Sequence, residues 1–426
     1  MSLLFGVNFQ TMTLEFVKVV DQVERMGRYL GHRAQTMVDK LDIALDWFTA
    51  ADDLDAVWER INAVRNSSVS GYRGAAPAPQ PHDEVVSGVG TLPLTPKTAV
   101  IVAVDGSQIY PDPHGSALFY LINLGSLTYF YGRDRLPEPY TQPELIFIED
   151  LLEDQDGRLI NSQTVNTRRT IAEMQLLAKR AWALDQTMQA GTEENAPIFT
   201  IHDGNLLKFF SPTELVDAWQ LETDYFRALQ KLHESNAFAA GYIDRTSSSS
   251  VISLLHLLNL QPDEINDANL KTNGQIEGIS DAQLFAAVLQ PGERSAIFSQ
   301  SSPQNKDYKD KYGAEYEIAF FYINVGDTRP HIVRIEIPMW VGRHKPVMDH
   351  LHALLVAQCA IQGRERYPYV LTRADELAYI KQTERQQLDE LIRIELRRQQ
   401  ITPERSTKLE SKGMARSSRR RYLLGT

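Results

Sequence analysis

AVIVAVDGSQIYPD, residues 99–112, is the stretch of sequence that decides the fold. The run from Ala99 to Val104 is continuously apolar and rich in β-branched residues, which is typical of a strand buried on both faces. It ends in Asp105-Gly106-Ser107, so the sequence predicts an acid at the carboxyl end of this strand. Open α/β sheets bind their ligands at that edge. Asp105 is therefore the first candidate functional residue.

A second buried strand is predicted at 197–201 and is followed by His202-Asp203-Gly204. Asp-Gly is a common turn dipeptide, but two neighbouring buried strands that end in it predict that Asp105 and Asp203 converge. Their repulsion would be relieved by a divalent cation, and carboxylate oxygens suit Mg²⁺ or Mn²⁺. Such a site best supports phosphodiester hydrolysis with two ions roughly 3.5–4 Å apart. The side chain of His202 should point to the opposite face of its strand, so we interpret it as structural.

The order of the remaining elements predicts the fold class. Three antiparallel strands are followed by a helix, a strand, a helix, a strand and a final helix, an order similar to that of ribonuclease H-like proteins. We therefore expect an α/β fold with a mixed sheet flanked by helices and an N-terminal helical extension. The predicted elements are strands at 99–104, 117–124 and 126–131, a helix at 166–189, the strand at 197–201, a helix from Pro212 to Ser235, strands at 238–243, 315–324 and 331–338, and closing helices at 346–362 and 371–400.

The likeness to ribonuclease H-like folds implies four metal-binding acids, on the first strand, the first helix, the fourth strand and the last helix. This chain offers Asp105, Glu173, Asp203 and Asp375 in those places, with Glu376 beside Asp375. Spacing alone does not distinguish Glu173 from Glu149 or Glu153 as the helix ligand.

Composition and proline content divide the chain into four parts. We expect an N-terminal helical arm at 1–66, a Pro/Ala/Ser/Gly-rich linker at 67–98 that is extended or mobile, a nuclease-like domain at 99–400 and a basic, disordered C-terminal tail at 401–426. The 426 residues are 43% hydrophobic and 23% charged, which excludes wholesale disorder.

Cysteine content and hydropathy indicate a cytoplasmic protein. Cys359 is the single cysteine, so neither an intrachain disulfide nor a cysteine-based zinc site is possible. No secretory signal pattern precedes the first helix. The most apolar stretch, residues 116–131, is too short and too interrupted to span a membrane, which takes about 20 apolar residues.

Five segments of the chain resemble the NurA nuclease family. They are AVDGSQIYPD (103–112), NTRRTIAEMQ (166–175), FTIHDGNL (199–206), AAGYIDRTSSSSVISLL (239–255) and RYPYVLTRADELAYI (366–380), in the family's order. The resemblance implies a manganese-dependent nuclease acting on single-stranded DNA and on duplex ends, as a 5′–3′ exonuclease or single-strand endonuclease. It also implies a homodimer that works with a HerA-type hexameric ATPase during DNA end processing.

Carried over to this chain, the resemblance assigns metal binding to Asp105, Glu173 and Asp203. Tyr242 matches a tyrosine that contacts the scissile strand. One position departs from the family: where a histidine is expected, this chain has Asp375. Aspartate remains a good ligand for a hard metal ion, but a group that titrates near neutral pH is lost, which affects proton donation to the leaving oxygen.

Charge argues for assisted rather than independent DNA binding. The formal net charge is −11, and the residues before Lys381 carry −17. Phosphate contacts dominate DNA affinity, so we expect weak binding without a partner. The chain lacks a phosphate-binding GxxxxGK[ST] motif, so ATP hydrolysis has to come from that partner. The cationic residues expected along the DNA path are Arg168, Arg169, Lys179, Arg180 and Arg245; Ser247–Ser250 is a polar run able to bond phosphate.

Two other interpretations stay open. The chain could be a catalytically impaired regulatory or structural subunit of a DNA-processing ATPase complex, which the Asp375 position and the acidic surface favour and the three matching acids disfavour. A metal-dependent phosphatase of small substrates would share the acids but not the order of the segments.

Overall fold

The computed structural model describes residues 16–65, 72–78, 82, 84–153, 159–192 and 194–401. Its helices are α1 (Val17–Ala50), α2 (Leu54–Arg65), α3 (Glu149–Leu152), α4 (Ser162–Gln189), α5 (Ala218–Glu234), α6 (Ser250–Asn259), α7 (Asp281–Val288), α8 (Pro303–Tyr312), α9 (Met339–Gly342), α10 (Lys345–Ile361), α11 (Tyr369–Ala378) and α12 (Gln382–Arg398). Short 3₁₀ helices lie at Pro262–Glu264, Asn269–Lys271, Gly274–Ile276 and Ala314–Tyr316.

The strands form one mixed sheet. They are β1 (Ala75–Pro77), β2 (Val89–Gly90), β3 (Ala99–Ile109), β4 (Tyr120–Tyr131), β5 (Glu138–Ile146), β6 (Ile198–Asp203), β7 (Ala237–Ile243), β8 (Arg294–Ser295), β9 (Phe298–Gln300), β10 (Ile318–Asn324) and β11 (Ile332–Pro338). The order along the sheet is β1-β9-β10-β11-β7-β6-β3-β4-β5, with β8 on β10 and β2 on β8.

The centre of the sheet has the predicted architecture. β3, β4 and β5 form an antiparallel meander, and β3, β6 and β7 are parallel neighbours. β11 runs antiparallel to β7, and the predicted pairing of β10 with β11 is present over their full length. The predicted fold class, a mixed α/β sheet flanked by helices, is confirmed.

Helices cover both faces of the central strands. α4 packs on one face, with α5 beside it, and α11 packs on the other face over β3 and β4. α4 begins where the side chain of Asn161 accepts a hydrogen bond from the amide of Thr164 at 2.8 Å, which satisfies a free helix-start donor. Its buried positions, among them Ile171, Met174 and Leu177, follow the helical spacing seen in the sequence.

The prediction of two short strands at 117–124 and 126–131 is wrong. Both fall in the single strand β4, and the third strand of the meander is β5. Asn123 and Gly125 resemble turn residues, but here they lie inside a strand because a helix packs directly against them. Likewise β3 does not end at Asp105; it continues to Ile109, paired with β4 throughout.

The segment predicted as a linker at 67–98 contributes two short strands in the parts that the structure describes. Ala75–Pro77 pairs with β9, and Val89–Gly90 pairs with β8, so both segments belong to the sheet. Ala75 is fully buried there. Short apolar residues between prolines suffice for an edge strand, where a missing amide donor is tolerated. Of the predicted tail at 401–426, residues 402–426 lie outside the described residues.

The predicted N-terminal arm is not separate from the rest of the fold. α2 and the second half of α1 share a hydrophobic core with α6, α7 and β10. The rings of Phe48 and Phe285 meet edge to face, with centroids 5.7 Å apart. The first half of α1 instead exposes an apolar stripe that includes Val20, Val23 and Leu30.

Two helix predictions also need correction. Pro212 does not begin a helix; α5 begins at Ala218, after Asp217, whose backbone is left-handed with φ 58°. The predicted helix at 371–400 is two helices, α11 and α12, separated by an extended backbone at Tyr379. No helix in the described part of the chain is long and apolar enough to cross a membrane.

Candidate active site

Asp105 and Asp203 are neighbours because of the parallel register of β3 and β6. Ala103 pairs with Ile201 and Val104 with His202, so the next position along each strand places the two acids side by side. Adjacent strands are about 4.8 Å apart. Asp203 is exposed and Asp105 half-buried. The predicted convergence of these two side chains at the sheet edge is present in the structure.

Gly125 allows α11 to carry Asp375 to the same place. Gly125 is the β4 partner of Asp105 and therefore lies on the same face of the sheet. A Cβ atom at Gly125 would lie 2.3 Å from the carbonyl oxygen of Ala374 and 2.5 Å from the amide of Ala378, so only glycine permits this approach of the helix backbone. Asp375, the next residue after Ala374, is exposed at the sheet edge.

The end of α11 is fixed to the sheet by two hydrogen bonds. The hydroxyl of Ser107 and the side-chain amide of Asn123 both donate to the carbonyl of Ala378, the latter at 2.7 Å. This carbonyl is thereby satisfied by the sheet, which accounts for the end of α11 at this residue. Ser107 and Asn123 thus hold the helix that carries Asp375.

Glu173 reaches the edge from the opposite face. It lies on α4, is 3% exposed, and packs over Gly106, where a Cβ atom would lie 2.7 Å from its Oε1. Arg169 Nε lies 3.2 Å from the same Oε1. Arg169 is held in turn by the carbonyl of Gly106 at 3.1 Å and by Oε1 of Gln108 at 3.2 Å. Every residue of Asp105-Gly106-Ser107-Gln108 therefore contributes to the site.

The acids raise one another's pKa. Burial raises the pKa of Glu173 to about 8, and the nearby Asp105 adds to that rise while Arg169 opposes it. Burial also raises the pKa of Asp105 to about 6, with further contributions from Asp203 and Asp375. The pKa of Asp203 is also raised, because the protein around the carboxyl group removes part of its hydration even though the residue reaches solvent. Asp203 and Asp375 contribute to the pKa of Asp105, and Asp105 contributes to that of Glu173, so Asp105 interacts electrostatically with each of the other three acids.

Glu173 is thereby distinguished from the two alternatives that spacing left open. Asp105 and Asp203 contribute to its pKa, whereas Glu153 forms an isolated bridge with Leu159 outside this edge. Glu149 begins the short helix α3, which is not among the elements that carry Asp105, Asp203 and Asp375. Glu376, beside Asp375, forms an ion pair with Arg373 on the surface of α11.

Tyr242 does not have the position expected of a strand-contacting residue. It is fully buried, and its hydroxyl lies 3.6 Å from Sγ of Cys359. Its ring packs edge to face on Tyr367, with centroids 5.3 Å apart. The hydroxyl of Tyr367 donates a hydrogen bond to Asp203, which lowers the pKa of that acid. Tyr242 therefore supports Tyr367, and Tyr367 orients Asp203.

His202 lies on the face opposite Asp203, as predicted. Its ring is 2% exposed and its Nδ1 is 3.9 Å from Oε2 of Glu173. Burial, together with the charges of Lys208 and Arg169, keeps its pKa well below the usual value, so the ring is neutral. Neither ring nitrogen has a hydrogen-bond partner among the residues that the structure describes.

Most of the arginines expected along a DNA path have structural partners. Arg168 donates to the hydroxyl of Tyr120 at 2.9 Å, Arg180 donates to Thr128 at 3.1 Å, and Arg169 holds Glu173. Arg245 differs, because its side chain is 92% exposed and its backbone is left-handed, with φ 47°.

Sequence reasoning missed three residues of the site. Asp244, at the end of β7, accepts a hydrogen bond from Nε2 of His331 at 2.6 Å, and this partner lowers its pKa. Tyr367 orients Asp203, and Lys208 interacts electrostatically with Glu173 and Asp203. A signal existed for each: Asp244 ends a buried strand as Asp105 and Asp203 were expected to, Tyr367 lies in RYPY, and Lys208 follows Asp203 by five residues.

The donor set suits a hard cation. Among the residues that the structure describes, no three His, Cys, Asp or Glu side chains converge tightly enough to form a preformed metal site. The carboxyl groups are nevertheless close enough to raise one another's pKa, and Oε1 of Glu173 is buried without a hydrogen-bond partner. A divalent cation would satisfy that oxygen and offset the repulsion among the acids.

Comparison with known proteins assigns the chain to a family. The NurA domain model matches residues 99–380. The crystal structure of the NurA nuclease from Sulfolobus solfataricus is similar with a TM-score of 0.49 and 11% identity, covering 90% of this chain and 98% of that one. The catalytic domain of human endonuclease V aligns with a TM-score of 0.30 and 13% identity, covering 69% and 83% of the two chains. No curated protein sequence matches. Because the family model covers well over half of its 426 residues, the chain belongs to the NurA family of nucleases.

Proposed function

We propose that this protein is a metal-dependent deoxyribonuclease that hydrolyses phosphodiester bonds during the processing of DNA ends. The observation that carries the proposal is the adjacency of Asp105 on β3 to Asp203 on β6, together with the electrostatic interaction of Asp105 with Asp375 on α11 and with Glu173 on α4. Perturbed acids gathered in this way are typical of catalytic sites.

Asp105, Asp203, Asp375 and Glu173 are the proposed ligands, for two Mn²⁺ or Mg²⁺ ions. When bound, such ions supply an activated water and a counter-charge for the leaving oxygen. The protein's own part is to hold the ligands. Tyr367 orients Asp203, Arg169 holds Glu173, and Ser107 with Asn123 fixes the helix that carries Asp375.

Proton donation to the leaving oxygen differs from the family pattern. Asp375 replaces the expected histidine and is exposed at the tip of the site. His202 cannot substitute for that histidine, because it is buried on the other face and neutral. We therefore propose that water, rather than a side chain at this position, protonates the leaving oxygen.

The substrate and partners follow from the family and the charge. We propose that the enzyme acts on single- and double-stranded DNA ends, as a 5′–3′ exonuclease or single-strand endonuclease, and as a homodimer in the cytoplasm. With a net charge of −11, it would receive DNA from a HerA-type hexameric ATPase rather than bind it tightly alone.

A second candidate is a catalytically impaired subunit of the same ATPase complex. The aspartate at position 375 and the acidic composition favour it. A cleavage assay on labelled single-stranded and duplex oligonucleotides with Mn²⁺, with and without the ATPase, distinguishes the two. Metal-dependent products that disappear in Asp105→Asn support the nuclease. No products under either condition, together with stable binding to the ATPase, support the impaired subunit.

A further inference from the structure

A polar cavity of about 540 Å³ adjoins the acids on the α4 side of the sheet. It is formed by the segment after β6, the segment after β7, and strands β9 and β11. The volume falls in the range of ligand sites, roughly 300–1,000 Å³. Its polar lining residues are Arg73, Asn205, Lys208, Arg245, Thr246, Ser247, Ser248, Ser250, Gln300, Ser302, Gln304, Arg334 and Glu336.

The floor of the cavity is a buried ion pair. Arg334 and Glu336 are 6% and 1% exposed, and their charged atoms are 2.9 Å apart. Oε2 of Glu336 also accepts hydrogen bonds from the backbone amides of Leu206 and Leu207, at 2.8 and 3.1 Å. Glu336 is thus fully engaged, and it is the single carboxylate among the described residues that line the cavity.

The walls carry positive charge that this floor does not neutralise. In the described residues, Arg73 and Lys208 have no carboxylate oxygen within ion-pair distance, and Arg245 is 3.6 Å from Asp244. Hydroxyl groups of Thr246, Ser247, Ser248 and Ser250 also line the cavity, and that of Ser248 already donates a hydrogen bond to Asp281 at 3.0 Å. A concave surface of this composition, in a chain of net charge −11, is suited to an anion.

The cavity is connected to the acids through Lys208. This lysine lines the cavity and also interacts electrostatically with Glu173 and Asp203. Asn205 and Arg245 follow Asp203 and Asp244 by two residues and one residue, so both walls begin at the acid edge. A ligand bound in the cavity would therefore lie next to a nucleic-acid strand bound at the acids.

We propose that this cavity binds the terminal phosphate of a nucleic-acid strand whose neighbouring phosphodiester lies at the acids. Arginine, lysine and hydroxyl donors are the groups that recognise a phosphate monoester. A strand end fits better than a continuous strand, because the buried Arg334–Glu336 pair closes the cavity from below. This inference rests on the proposed function for its substrate but is tested separately by binding.

The test compares short single-stranded oligonucleotides that carry a 5′-phosphate, a 3′-phosphate or hydroxyls at both ends. Fluorescence anisotropy in EDTA at low ionic strength measures binding without cleavage. We expect one phosphorylated end to bind at least about fivefold more tightly than the hydroxyl form, since a charged hydrogen bond is worth roughly a factor of ten. Arg73→Gln should bring that ratio to about one, whereas Arg227→Gln, an exposed arginine on α5, should leave it unchanged.

Two results would overturn the inference. One is equal affinity for phosphorylated and hydroxyl ends, or a ratio that Arg73→Gln does not change. The other is a deoxynucleoside monophosphate that binds as tightly as the phosphorylated oligonucleotide, because the cavity would then recognise a free nucleotide. Phosphate-dependent binding without cleavage in Mn²⁺ would contradict the proposed nuclease activity but support the phosphate-binding cavity. Cleavage without any preference for a phosphorylated end would support the nuclease activity and contradict the role of the cavity.

Discussion

The acids on the two faces of the sheet differ in their burial. On the α11 face, Asp203 and Asp375 are exposed and Asp105 is half-buried. On the α4 face, Glu173 is almost fully buried beside a neutral His202. The open α11 face therefore presents carboxyl groups to solvent, whereas the buried α4 face holds an acid whose pKa of about 8 keeps it protonated at neutral pH. The difference indicates that burial, more than repulsion among the acids, sets the protonation of the site.

Removing Asp105, which interacts with acids on both faces of the sheet, should have the largest effect. Asp105→Asn keeps the shape of the side chain but removes the carboxyl group that interacts electrostatically with Asp203, Asp375 and Glu173. We expect kcat/KM for DNA cleavage with Mn²⁺ to fall at least about 1,000-fold, or about 4 kcal/mol. Glu376→Gln, on the outer surface of α11, is the matched control and should cleave normally. Wild-type activity in Asp105→Asn would remove the proposed site.

Glu173→Gln tests the buried face through stability. The folded pKa of about 8 lies above the ordinary value near 4.3, so the folded protein binds the extra proton between those pH values. The free energy of unfolding of the metal-free wild type is therefore highest below that window and decreases as pH rises through it. Glutamine imitates the protonated acid and avoids this loss, which is on the order of 5 kcal/mol over the whole window.

Denaturant unfolding in EDTA at about pH 5 and about pH 9 checks this expectation. Wild type and Glu173→Gln should have similar stability at the lower pH, and the variant should be more stable at the higher pH. The variant should also lose cleavage activity, which separates it from a simple stabilising substitution. Equal pH dependence of the two proteins would contradict a raised pKa at Glu173.

Gly125→Ala tests the α11 face by packing alone. The new methyl group would meet the backbone of Ala374 and Ala378, so α11 has to move and carry Asp375 with it. We expect the free energy of unfolding to fall by about 1–3 kcal/mol and the activation free energy of cleavage to rise by a similar amount. Gly27→Ala in α1, where nothing lies within 4 Å of the new atom, is the control and should not destabilise. Unchanged activity in Gly125→Ala would show that the position of α11 is not needed.

Tyr367→Phe should have the smallest effect of the four. It removes one hydrogen bond to Asp203 that lowers the pKa of this acid, so the variant's Asp203 should titrate at higher pH. We expect cleavage to fall about tenfold on the acidic side of the pH profile and less on the alkaline side. Tyr379→Phe, at an exposed tyrosine, is the control. A uniform loss at every pH would indicate a structural role instead.

The acids at the strand ends were easier to predict from sequence than the helix packing around them. The β-branched run before Asp105 and the apolar run before Asp203 are local patterns, and parallel strands bring such ends together without further information. The contact between Gly125 and α11 joins residues some 250 positions apart, and inside β4 the glycine resembles a turn signal. The burial of Tyr242 likewise depends on which helices cover that face. Local periodicity does not report either feature, nor the packing of Phe48 on Phe285.

Adjacent residues of β3 serve opposite faces, and this has a consequence for chain length. Asp105 points towards α11 while Gly106 makes room for Glu173, so inserting or deleting one residue upstream within the strand would exchange the two positions. A carboxylate would then be forced under α4, and the acid edge would lose its central group. Peptide tags, loop grafts and circular permutation sites therefore have to avoid residues 99–109, where a shift of one residue reverses both faces.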